Sequence, residues 1–257
     1  MTALAPLVLQ AAELLRRSHS TVALTGAGFS TPSGIPDFRS PGSGLWENAD
    51  PFEVASLASF RYHPERFYAW VRPLVTMIHR AQPNAAHRAL ADLEAAGGLE
   101  LLITQNIDEL HHRAGSRKVI EIHGNVREAA CGQCHRHWPG QPMLEKFLQD
   151  GQVPRCEVCG GVLKPNVILM GEQLPEALQR EAKAAARRCE VMLVAGSSLE
   201  VFPVAELPLE AVTHGARLVI VTLAPTYLDE RADVLIRADV AEVLPQIVGA
   251  ALEGAYV

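Results

Sequence analysis

Aromatic residues make up only 5% of this 257-residue chain, and no stretch approaches the roughly 18 uninterrupted apolar residues that a membrane-spanning helix needs. No membrane partner is therefore expected. The N-terminus also lacks the basic start, apolar core and small-residue cleavage site of a secretory signal. Cytoplasmic localisation is the resulting expectation. Positive charge is in deficit: 23 Lys and Arg stand against 29 Asp and Glu, a net charge of −6, and the basic residues are scattered. Such a surface offers no broad attraction to nucleic acid and suits a cationic peptide better. Low-complexity tracts and internal repeats are missing as well. What is there is 48% hydrophobic residues, enough for a full core, in a length that fits one large α/β domain with or without a small satellite.

Apolar runs at 21–24, 99–104, 119–122, 191–195, 217–223 and 234–236 read as strands, and residues 4–18, 84–96, 175–188 and 239–251 as helices between them. This alternation predicts a doubly wound, Rossmann-like, mostly parallel sheet. Two insertions, 41–84 and 126–164, leave and rejoin the strands at their carboxyl ends. The expected division is a Rossmann-like domain from 1–40, 85–125 and 165–257, and a small domain made of a helical insertion, 41–84, and a module at 126–164. Residues 63–79 read as a helix that Pro73 should kink or divide. His87 reads as a buried core histidine, and His111 and His112 as surface residues.

The least periodic stretch is TGAGFSTPSGIPDFRS, from Thr25 to Ser40. Gly26, Ala27 and Gly28 fall at a strand end, where the backbone can approach a diphosphate, and Ser30 and Thr31 add hydroxyls. Taken alone, a plain glycine turn fits equally. Asp37, Phe38 and Arg39 then set an acid, a ring and a guanidinium side by side. After the 99–104 strand, Asn106 and Asp108 offer the polar atoms that a ligand amide would need, although either would also serve as a helix N-cap. His123 ends another strand, with Gly124 leaving room beside it. An imidazole of ordinary pKa near 6.5 suits a general base, with a structural histidine as the alternative. Gly196 to Leu199 forms a second small-residue turn suited to phosphate or ribose. Cys131-x-x-Cys134 and Cys156-x-x-Cys159 fit a tetrahedral zinc site, with disulfides as the rival, and Cys189 is left over in a helix end. Four protein ligands leave no open position on the ion, so such a zinc is structural.

The unbroken run GAGFSTPSGIPDFR, the run TQNIDELH from Thr104 to His111, His123-Gly124 and the two cysteine pairs, in this order, resemble the sirtuins, NAD-dependent protein lysine deacylases. The resemblance implies NAD as cofactor, a structural zinc on Cys131, Cys134, Cys156 and Cys159, and acyl-lysine proteins or peptides as partners. The implied products are free lysine, nicotinamide and O-acyl-ADP-ribose. Carried over residue by residue, it puts Gly26, Ala27, Gly28, Ser30, Asp37, Phe38 and Arg39 in the NAD loop, with Phe38 roofing a dry cleft. Gln105, Asn106, Ile107 and Asp108 belong to the ribose and nicotinamide pocket, and Gly196, Ser197, Ser198, Leu199 and Thr222 contact the cofactor. Asn106, Asp108 and His123 are catalytic, His123 as the base. Val167, Met170, Gly171 and Glu172 line the acyl-lysine groove, where a peptide lies as an added strand. A mono-ADP-ribosyltransferase or NAD hydrolase would use the same pocket, and a non-enzymatic NAD sensor is a further alternative.

Three positions depart from common family usage: Met170 stands for Phe, Ser197 for Thr and Thr222 for Asn. Sirtuins that prefer succinyl or malonyl lysine carry a Tyr and, three residues later, an Arg. Here Tyr68, a candidate substrate contact, is followed by Val71, and Arg72 is turned by about 100° around the helix. Acidic acyl groups should be rejected and neutral ones, acetyl or longer, accepted.

Overall fold

The computed structural model describes residues 4–37, 44 and 49–253. The described residues form strands β1 (Thr21–Thr25), β2 (Leu101–Thr104), β3 (Val119–Glu121), β4 (Gly124–Cys131), β5 (His137–Pro139), β6 (Leu163–Val167), β7 (Val191–Ala195), β8 (Arg217–Val221) and β9 (Val234–Ile236). Six of these make one parallel sheet in the order β3-β2-β1-β7-β8-β9. Counting only its own strands, this is the 3-2-1-4-5-6 order of doubly wound nucleotide-binding folds, whose direction reverses between β1 and β7.

Side chains alternate strictly across the sheet. Ala23, Leu193, Ala195, Val219 and Val221 enter one core with α1 (Ala5–Arg17) on that face. Val22, Leu24, Met192, Val194, Leu218 and Ile220 enter another. Both faces are covered, which is why these strands read as unbroken apolar runs and not as polar–apolar alternation. The helical insertion supplies α2 (Pro51–Val54), α3 (Leu57–Tyr62) and α4 (Pro64–Arg80), and α5 (Ala85–Ala95) brings the chain back to the sheet. A capping box starts α5: Asn84 Oδ1 accepts from the Ala86 and His87 amides, and His87 Nδ1 accepts from the Asn84 amide. After α6 (Leu110–Ala114) and α7 (Gly140–Asp150), α8 (Glu176–Arg188) and α9 (Leu207–Thr213) cover the second face, and α10 (Val240–Glu253) packs beside α1 and α5 on the first. In α8, Ala182, Ala185 and Ala186 at helical spacing form the buried stripe, small enough to lie close on the sheet.

Pro73 does not divide α4, one of the two outcomes expected from sequence: the helix runs through it from Pro64 to Arg80. Pro73 and Ala69, whose carbonyl is deprived of a donor, are both exposed, on the side of the helix that water can reach. A third core joins the two insertions: Phe60, Phe67, Tyr68, Leu74 and Ile78 of the first pack with Ala129, Leu144, Phe147 and Leu163 of the second. Beneath it, β4 is central in a three-stranded antiparallel sheet, β5-β4-β6.

Candidate active site

All six parallel strands end in register. The Gln105 amide bonds the Thr25 carbonyl, Gly26 bonds Ala195, Gly196 bonds Val221 and Thr222 bonds Ile236, at 2.9–3.3 Å. Their carboxyl ends therefore present one continuous rim. On it, centred at the reversal between β1 and β7, opens a cavity of about 310 Å³. Gly26, Ala27, Gly28, Asp37, Gln105, Asn106, His123, Gly196, Ser197, Ser198 and Thr222, all expected at the site, line it.

Close backbone approach explains the glycines. Gly196 has φ +61°, and a Cβ there would lie 2.3 Å from the Phe29 amide nitrogen. The two small-residue turns thus pack backbone against backbone, and only residues without side chains allow it. Behind them runs a polar chain. Asn106 Nδ2 donates to the Gly26 carbonyl and to Ser30 Oγ, both at 3.0 Å, while Ser30 Oγ donates to Asp108 Oδ2 at 2.6 Å. Asp108 Oδ1 accepts from the Leu110 amide at 2.9 Å. Asp108 is 5% exposed, and burial raises its pKa against the two hydrogen bonds that lower it. It supports the cavity wall from behind and is not the N-cap of α6: Glu109 holds that position without a side-chain cap, and the Asp108 bond to the Leu110 amide closes a local turn just before the helix. Gln105 Nε2 donates to Ser197 Oγ at 3.1 Å, which in turn accepts from the Leu199 amide at 3.2 Å, so the Ser that stands for Thr keeps a working hydroxyl. Ser30, Ile107 and Leu199 likewise belong to this supporting layer and not to the lining.

His123 lines the cavity, and its Nδ1 lies 3.1 Å from the Gln105 carbonyl. A carbonyl can only accept, so Nδ1 carries the proton and Nε2 is the free acceptor of the neutral ring. Burial lowers the pKa of His123, opposed by that carbonyl bond. The ring is accordingly neutral at pH 7, as a base must be.

His111 differs from expectation. It is buried, its Nε2 3.0 Å from Thr25 Oγ1, its ring packed on Phe29 and His87. These partners lie 24 or more residues away along the chain, so local composition does not signal the burial. Tyr68 also departs: it is 1% exposed among Phe60, Phe67 and Phe147, and its hydroxyl donates to the Leu163 carbonyl. Arg72 turns away, its Nη2 on the Leu148 carbonyl at 2.9 Å and its guanidinium over Phe147. Phe38 and Arg39 lie outside the described residues. Val167 is buried, Met170 is bridged to Ser56, and Glu172 pairs with Lys164. Gly171, in the left-handed region, turns the chain between them.

Sequence reasoning missed Glu200, Val201, Leu223, Ala224, Ala238, Asp239 and Val240 in the lining. Ala238 to Val240 follow the last strand, and Asp239 Oδ1 caps α10 through the Ala241 amide at 2.7 Å. The signal was available: residues just beyond a carboxyl end of such a sheet belong to its ligand crevice.

The sulfurs of Cys131, Cys134, Cys156 and Cys159 all lie within 4.8 Å of one another. Cys131 to Cys159 is 3.4 Å and Cys134 to Cys156 is 3.7 Å. A tetrahedron of sulfurs about 2.3 Å from zinc has edges of about 3.8 Å, so the set fits the ion, and these distances are far too long for disulfide bonds.

A parallel sheet of this order with a glycine-floored cavity at its reversal point defines a dinucleotide-binding α/β protein. The Sir2 family profile matches residues 26–203, and the chain belongs to that family. It is 46% identical over 230 residues, 90% of this chain and 92% of the relative, to an NAD-dependent protein deacetylase of Thermotoga maritima. An NAD-dependent protein deacylase 2 of Archaeoglobus fulgidus is 45% identical over 240 residues, 93% of this chain and 94% of that one. A solved complex of Sir2 with a p53 peptide and NAD+ superposes with a TM-score of 0.86 at 41% identity, covering all of both chains.

Proposed function

We propose that this protein removes acetyl and other neutral acyl groups from protein lysine side chains, consuming NAD and releasing nicotinamide and O-acyl-ADP-ribose. The observation that carries the reading is a neutral imidazole, His123, with its tautomer set by the Gln105 carbonyl, on the wall of a cavity floored by two glycine turns. Relatives of known name, an NAD-dependent deacetylase and an NAD-dependent deacylase, support the choice of reaction.

NAD is a substrate here. Its diphosphate would lie on the Gly26–Gly28 and Gly196–Ser198 backbone, where amides, and not side chains, meet the anion. Asn106, tied to Gly26 and Ser30, holds the far wall, and the buried Ser30–Asp108 bond fixes where that wall stands. His123 Nε2 would take the proton of a ribose hydroxyl as it attacks the acyl carbon, and a dry wall keeps water from competing. Thr222 gives the adenosine side one hydroxyl where an Asn would give an amide pair, which weakens affinity without touching the chemistry. The four cysteines would hold zinc as a structural ion that closes a module too small for its own core.

The acyl-lysine groove is assigned to Val167, Met170, Gly171 and Glu172. Val71 in place of an Arg, and Arg72 committed to Leu148, support neutral acyl groups, and Met170 is a flexible wall for longer ones. The two insertions are read as one small domain over the NAD-binding domain, in keeping with their shared core. An acetyl-lysine peptide incubated with the protein should lose its acetyl group when NAD is added and stay intact without it. A peptide untouched in both tubes would overturn the reading.

A further inference from the structure

One side chain outside the cavity lining ties together the strip of chain that follows β6. Lys164 lies on β6, 18% exposed, and its ammonium has three partners: the Val167 carbonyl at 2.7 Å, Glu172 Oε2 at 3.0 Å and, more loosely, the Pro165 carbonyl at 3.5 Å. An ammonium has three N–H donors, so all are assigned. Glu172 Oε2 in turn accepts from the Leu169 amide at 3.0 Å, and the Glu172 amide donates to the Leu169 carbonyl at 2.9 Å. The segment 167–172 is thereby folded over the lysine as a closed turn.

That turn is fastened on two sides. The Ile168 amide donates to the His123 carbonyl at 2.8 Å, and Val167 pairs with Gly124. Gly124 has φ +82°, and a Cβ there would fall 1.9 Å from the Asn166 carbonyl, so the contact tolerates no slack. On the other side, the Met170 amide and carbonyl bond Ala55 and Leu57 of the helical insertion, each at 2.9 Å. The strip therefore has fixed neighbours, the backbone of the base and the insertion, while Lys164 sets its internal shape. Charge is essential to that shape. Without the ammonium, the Val167 carbonyl and the partly buried Glu172 carboxylate would each lose a charge-assisted bond and turn toward water.

We propose that Lys164 is a positioning residue for the acyl-lysine: it holds the 167–172 strip in the form that aligns the acyl group with His123. The proposal rests on the deacylase reading above. No residue from 164 to 172 lines the NAD cavity, so the lysine should govern turnover of peptide and not capture of NAD.

The test compares Lys164→Met and Lys164→Arg with wild type by calorimetry with NAD, by zinc content, and by steady-state kinetics on an acetyl-lysine peptide. Lys164→Met should lower kcat/KM for the peptide by about tenfold or more while NAD affinity stays within about twofold and zinc stays at full occupancy. Lys164→Arg, which keeps a cation, should recover most of the loss. Unchanged peptide kinetics in Lys164→Met would overturn the proposal, as would a parallel fall in NAD affinity or an equal defect in Lys164→Arg. Should Lys164→Met fail to fold, Glu172→Gln removes the charge from the other partner and must show the same peptide-specific loss. Wild-type kinetics in Glu172→Gln would then count against the proposal. Wild-type protein inert toward every acyl peptide would instead refute the deacylase reading, a separate outcome.

Discussion

Acid should unfold this protein through His87, and the size of the effect follows from the structure. His87 is fully buried, edge-on to Phe29 and 4.8 Å from it between ring centroids. Burial, helped by the neighbouring Arg88 charge, pushes its pKa down to about 3. In the unfolded chain the same ring titrates near 6.5, so below that pH the unfolded state binds a proton that the folded state refuses. Stability is thus fully present above about pH 6.5, falls as pH drops, and levels off near pH 3. Between pH 8 and pH 5 the linkage relation assigns His87 alone a loss of about 2 kcal/mol, a large share of the 5–15 kcal/mol that a domain has. His111, also buried with its pKa pushed well down by burial, adds to it in the same direction. The perturbation to make is His87→Asn, whose carboxamide oxygen can replace Nδ1 as acceptor for the Asn84 amide. Lost ring packing will make the variant less stable at pH 8. Its stability should nevertheless fall by about 2 kcal/mol less than wild type between pH 8 and pH 5, measured by urea denaturation at each pH. An identical pH dependence in the two proteins would refute the reasoning.

Further outcomes are expected. His123→Ala should keep NAD affinity and lose deacylation, since the base acts after capture, and lost affinity with full turnover at saturating NAD would contradict the assignment. The acid limb of wild-type kcat/KM, which reports the free enzyme, should lie below pH 6.5, because burial lowers the His123 pKa, and a limb above 6.5 would argue against His123 as the titrating base. Elemental analysis should find about one zinc per chain, and Cys131→Ala should abolish activity, because β4 runs unbroken from Gly124, beside His123, to Cys131. Full activity in a zinc-free preparation would sink that coupling. On one peptide, succinyl-lysine should be turned over with about tenfold lower kcat/KM than acetyl-lysine or worse, the order of one missing ion pair. Equal rates would mean that some cation reaches the acyl group.

Much of the site was legible because glycine, cysteine and strand-end polar residues are dictated locally. Gly196 must be glycine for its own backbone and for Phe29, and two Cys-x-x-Cys turns carry their spacing on the chain. The covered sheet announced itself in runs such as Val191–Ala195, apolar on both faces. What could not be read depended on partners distant in sequence. The burial of His111 is decided by Thr25 and His87, the hydroxyl of Tyr68 by a carbonyl 95 residues on, and the supporting role of Asp108 by Ser30. Pro73 misled for the opposite reason: its local rule is sound, but Pro73 and Ala69 lie on the exposed side of α4, where water can reach the orphaned carbonyl.

The most direct measurement is the stoichiometry of products by mass spectrometry after incubation with NAD and an acetyl-lysine peptide. One free lysine, one nicotinamide and one O-acetyl-ADP-ribose should form for each NAD consumed. Free ADP-ribose with the peptide still acetylated, or ADP-ribose attached to protein, would identify a hydrolase or an ADP-ribosyltransferase and contradict the deacylase assignment.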